Sequence, residues 1–195
     1  MDDTGSVTAE ARLERLLHDL KQEFPKFRIV AKQQDRLSHL IDASLRWITL
    51  GGQNRYMTEY HTVIGDTLYV PDSWQHLPPL DRVILLRHER IHLRQRRRWT
   101  FLGMAFVYLV PWFPLGLAYG RARLEWEAYQ ETLRATLELK GLSAVRCPNL
   151  RRHILDRFCG PDYGWMWPFR RQLERWYDTA LQELEGELAA NHPER

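Results

Sequence analysis

The sequence predicts a mainly helical α+β fold, and three observations carry that expectation. Apolar residues recur along most of the chain at the three-to-four-residue spacing of amphipathic helices. Two short β-rich runs meet at a tight turn around Gly65. The 195 residues, 44% of them hydrophobic, contain no internal repeat, low-complexity linker or shift in composition. A chain of this length can bury a sizeable core, so a single domain over residues 1–195 is expected.

The elements follow in order. Leu13, Leu16, Leu17, Leu20 and Phe24 keep the helical period and stop at Pro25, which cannot continue a helix. Phe27 to Ala31 is a short strand, and Leu37, Leu40, Ile41, Leu45 and Ile48 form a second helical stripe up to Gly51-Gly52. Tyr56 to Val63 and Thr67 to Val70, joined through Ile64-Gly65-Asp66, make a β-hairpin. Pro78 and Pro79 close the loop that follows, and Pro79 suits the first turn of a helix carrying Val83, Ile84 and Ile91. Arg121 to Lys140 is strongly helical and stops at Gly141, with further helices over Leu150 to Phe158 and from Phe169 to about Leu188.

Between the third and fourth of these helices the chain carries no charge from Thr100 to Gly120. Residues 101–119 are long enough to cross a bilayer. Pro111 and Pro114 interrupt any continuous helix there, and arginines flank both ends: Arg94 and Arg96 to Arg98 before, Arg121 and Arg123 after. The segment therefore reads as a hydrophobic helical hairpin with both ends on one side, dipping into a membrane surface or buried against the domain.

The chemistry concentrates in His88-Glu89-Arg90-Ile91-His92. On a helix, histidines at i and i+4 share a face and can reach one tetrahedral ion, while the intervening glutamate stands beside the open fourth position. The pattern points to Zn²⁺ held by His88 and His92, with Glu89 as general base. No third histidine follows at short spacing, since His92 is succeeded by Leu-Arg-Gln-Arg-Arg-Arg-Trp. A downstream carboxylate is the remaining option, and the helix after Arg121 offers Glu125 and Glu127. Glu127 shares its face with Arg123, Glu131, Arg134 and Glu138, a solvated stripe, whereas Glu125 neighbours Ala122, Ala128, Tyr129 and Thr132. Glu125 is the better third ligand; either glutamate could instead be an ordinary helix carboxylate paired with arginine. A single membrane crossing at 101–119 would put the histidines and Glu125 on opposite sides, which a shared ion forbids.

His88-Glu89-x-x-His92 followed by Glu125-x-x-Ala128-Tyr129 resembles the zincin metallopeptidases of the gluzincin kind, and is similar to the ExxAD element of the membrane-associated M48-type peptidases. Tyr129 stands where that family has a supporting aspartate. The resemblance implies a zincin-like domain with the hydrophobic hairpin inserted between the ligand helices. It also implies a polypeptide substrate laid against an exposed strand edge, which the hairpin before the motif helix could supply. Gluzincins place a His, Tyr or Arg donor across from the metal to stabilise the developing oxyanion, and Tyr163 and His153 are the candidates for that role here.

The remaining features bound the alternatives. A net charge of +3 arises largely from the arginines around the motif helix, without a nucleic-acid-binding signature. Met1-Asp2-Asp3-Thr4-Gly5 is acidic and polar, unlike a signal peptide, so a cytoplasmic location is expected, with association at the cytoplasmic face of a membrane through residues 101–119. Cys147 and Cys159 form no CxxC pair and read as reduced spectators. Two other functions stay open: a non-enzymatic membrane-surface protein that keeps the HExxH helix only as structure, and a zinc hydrolase acting on a non-peptide amide or ester.

Overall fold

A computed structural model describes residues 8–35, 61–98, 119–160 and 166–191. The predicted helix over 37–48, the first part of the first hairpin run and the uncharged stretch up to residue 118 lie outside the described residues. The chain divides into two compact units, 1–93 and 94–195.

The first unit opens with α1, Ala9–Glu23, whose Thr8 caps the N-terminus: its side-chain oxygen accepts from the Ala11 amide at 3.2 Å. Leu16 and Leu20 bury the inner face. The helix ends where the sequence places Pro25, with the Phe24 amide donating back to the Leu20 carbonyl at 2.8 Å. Among the described residues three strands follow: β1 (Arg28–Ala31), β2 (Thr62–Ile64) and β3 (Thr67–Val70). The expected hairpin is present with a tighter connection: β2 pairs antiparallel with β3 from Thr62 opposite Tyr69 to Ile64 opposite Thr67, so Ile64, expected in the turn, ends the strand. Gly65 turns the chain at φ 63°, a conformation that suits glycine. The sequence did not reveal that β1 adds in parallel on the other side of β3, Arg28 opposite Thr67 through Ala31 opposite Val70. β3 is thus central, and all four of its residues are buried.

After a 3-10 turn over Asp72–His76 comes α2, Pro79–Arg98. The Pro78 carbonyl accepts from the amides of Asp81 and Arg82, so Pro79 occupies the first helical position, where its missing N–H costs nothing. Val83, Ile84, Leu86 and Leu93 are buried along its inner side. Arg90 joins α2 to the last residue of α1 through a 2.6 Å bond from its Nε to Glu23 Oε2.

The second unit begins inside α2, which runs unbroken through the division at residue 94, and continues as α3 (Tyr119–Lys140), α4 (Leu142–Val145), α5 (Pro148–Cys159) and α6 (Arg170–Asn191). Gly141 sits at φ 83° between α3 and α4, and its amide returns to the Leu137 carbonyl, the helix stop the sequence predicts. Ala122, Trp126, Tyr129 and Leu133 of α3 and Leu173, Tyr177, Ala180 and Leu184 of α6 are stripes at helical spacing that meet in one core with Ile154, Leu155 and Phe158 of α5. The Tyr177 hydroxyl within this core donates to the Val145 carbonyl at 2.8 Å, and burial pushes the phenol up to about 12. Among the described residues no helix is long and apolar enough to cross a membrane.

Candidate metal centre

Helix α2 presents the motif as the sequence predicts, well inside a twenty-residue helix. His88 and His92 are one turn apart and half-buried, and Glu89 is buried at 7% exposure. The two imidazoles stand at 74° to each other with centroids 4.9 Å apart, and their Nε2 atoms face one another at 3.2 Å. Two nitrogens held by one tetrahedral zinc at ordinary bond lengths lie about 3.3 Å apart, so the rings already have the spacing an ion requires. A direct N–H···N bond between neutral rings meets a similar distance, so the decisive question is whether a third donor converges.

That donor comes from α3. This helix buries two sides: the aromatic stripe described above and a second stripe through Glu125, Ala128 and Ala135. Glu125 is 7% exposed, whereas Glu127 lies on the exposed side, as their neighbours in the sequence foretell. His88, His92 and Glu125 each offer a donor atom, and these atoms all lie within 4.8 Å of one another. Two imidazole nitrogens and one carboxylate oxygen are a donor set that could hold a metal ion, and zinc accepts ligands of both kinds. The residues present therefore fit the ion.

A further buried polar residue follows on the same helix face. Gln95, 4% exposed, lies two turns beyond His88 on α2 and donates from Nε2 to the Leu124 carbonyl and to Glu127 Oε2, both at 2.9 Å. Both contacts fall within the second unit and join the end of α2 to the start of α3. The only available signal was positional, because residues 88, 92 and 95 share a face; glutamine on a helix carries no chemistry of its own. Glu127, read as purely solvated, is exposed but accepts this bond.

Among the described residues, the metal-binding group includes neither His153 nor the two cysteines. His153 is exposed on α5, and Tyr163 lies outside the described residues. Cys147 and Cys159 are free thiols. Burial pushes the Cys159 thiol up, and its Sγ lies 3.4 Å from the Trp167 carbonyl, which suits a packed thiol rather than a thiolate ligand.

No family model, curated protein or solved structure matches the chain.

Proposed function

We propose that this chain is a zinc-dependent metallopeptidase of the zincin kind, with His88, His92 and Glu125 as ligands and Glu89 as general base. The observation that carries the reading is the convergence of three donors from two helices within 4.8 Å, on a helix where a buried glutamate directly follows the first histidine. Zinc bound by these three residues would supply a water of lowered pKa and polarisation of the scissile carbonyl. The Glu89 carboxylate takes the proton from the water as its oxygen attacks the carbonyl carbon, then returns it to the amine nitrogen as the C–N bond breaks. Successive helical residues lie about 100° apart, so Glu89 stands beside the histidine face rather than on it.

An extended polypeptide is the proposed substrate. Within the first unit, β1 and β2 flank β3 and form the borders of the sheet among the described residues, and Ile64 of β2 is exposed. Strand addition along such a border binds extended chains with little demand on their sequence. Membrane association through residues 101–119, at the cytoplasmic face, belongs to the same proposal. The exposed Tyr119, where that segment joins α3, is consistent with it, and co-flotation of the chain with anionic vesicles is the check.

The mechanism is tested with Glu89→Gln on unfolded polypeptide substrates. The amide keeps the side chain's size but cannot accept the proton, so zinc should be retained and hydrolysis should fall at least about 100-fold. Hydrolysis at the parental rate with zinc bound would overturn the assignment of Glu89 and the mechanism with it.

A further inference from the structure

We propose that Gln95 is a positioning residue for the metal centre, setting the place of the third ligand through Leu124 and Glu127; this rests on the metal-centre reading above. Residues 88, 92 and 95 occupy one stripe of α2 at i, i+4 and i+7, so the face that offers the two imidazoles also carries the Gln95 amide. That amide is buried, and its Nε2 contacts two acceptors on α3. The acceptors bracket the ligand: Leu124 immediately precedes Glu125, and Glu127 follows it by two residues.

The chemistry of the two anchors explains why a glutamine serves here. A helical carbonyl has a second lone pair after its own i+4 bond, so Leu124 can accept from Gln95 without loss to α3. Because that anchor is main chain, it fixes the helix itself and not only a flexible side chain. A one-residue slip of α3 along α2 moves the backbone about 1.5 Å and turns it about 100°, presenting Leu124 or Trp126 where Glu125 stands. Lysine at 95 could donate as well, but it would bring a positive charge onto the helix face that carries the two imidazoles. Glutamate would lose both donors and face the Glu127 carboxylate. Glutamine supplies two donors and no charge, and the bonds it makes offset the desolvation of its buried amide.

The test measures Zn²⁺ affinity of the full chain by competition with a chromogenic chelator, alongside thermal unfolding of the metal-free protein. Gln95→Ala should weaken zinc binding about tenfold or more, the effect typical of residues that hold a ligand in place. Gln95→Glu should weaken it further, since it also brings two carboxylates together. Glu127→Ala should cost less, because the Leu124 anchor remains, and its exposed position keeps the test alive if the Gln95 variants do not fold. A merely structural glutamine would lower the unfolding temperature of the metal-free protein while leaving the zinc affinity of the folded protein unchanged. Parental zinc affinity in folded Gln95→Ala or Gln95→Glu, or in Glu127→Ala should both of those fail to fold, overturns the positioning role alone. A parental chain that takes up no zinc overturns the metal centre and this role together.

Discussion

The two helices that carry the proposed ligands present them by different physics. On α2, His88 and His92 converge because the helix itself repeats every 3.6 residues, and any stable helix over Pro79–Arg98 places them together. On α3, Glu125 is presented by the rotation of the helix within its own unit, where the side chain is buried. Its neighbours on either side, Leu124 and Trp126, are apolar and buried, and the next carboxylate, Glu127, is exposed. One half of the site is written into local structure, and the other depends on tertiary contacts. The first should resist perturbation as long as the helix forms, while the second should respond to changes that never touch the metal.

Ligand substitutions break the comparison most severely. His88→Ala or His92→Ala should abolish stoichiometric zinc, because the two remaining donors cannot hold the ion tightly; metal analysis of protein purified without chelators is the measurement. Glu125→Gln should weaken binding strongly by removing the anionic ligand. Glu127→Gln keeps an oxygen that can accept from Gln95 and should lose far less. Equal losses in the two glutamate variants would mean that the facial assignment of α3 is wrong.

A smaller effect sharpens the tertiary side, within the core that holds α3. Tyr177→Phe leaves the buried Val145 carbonyl without its donor and should cost about 1–3 kcal/mol in denaturant unfolding. The parental phenol is held neutral, its pKa raised from 10 to about 12 with burial as the largest cause. Its contribution to stability is therefore complete below pH 10 and is lost as pH rises through 12. Tyr177→Phe should be less stable at neutral pH yet lose less on going from pH 10 to 12. A parallel alkaline decline in both proteins would show that Tyr177 does not govern that limb.

Much of the scaffold was legible because its causes are local. Pro25 ends α1, Gly65 turns the hairpin, Pro79 begins α2 and Gly141 ends α3, each through a backbone property of the residue itself. The alternation of Glu125 and Glu127 between buried and exposed sides was legible for the same reason, since helical spacing assigns faces. The parallel addition of β1 to β3 was not, because a strand does not encode its partner. Nor was Gln95, whose value lies entirely in what stands opposite it.

The sequence by itself determined the helices α1, α2, α3, α5 and α6, the turn of the hairpin, the pairing of His88 with His92 and the adjacency of Glu89, all consequences of hydrogen bonds and side-chain directions within a few residues. Only the tertiary structure decided that Glu125 reaches the same point from 33 positions beyond His92. Packing of one helix on another depends on the shapes of both surfaces, and the contacts that select among registers, such as Gln95 with Leu124 and Glu127, exist only once the helices have met.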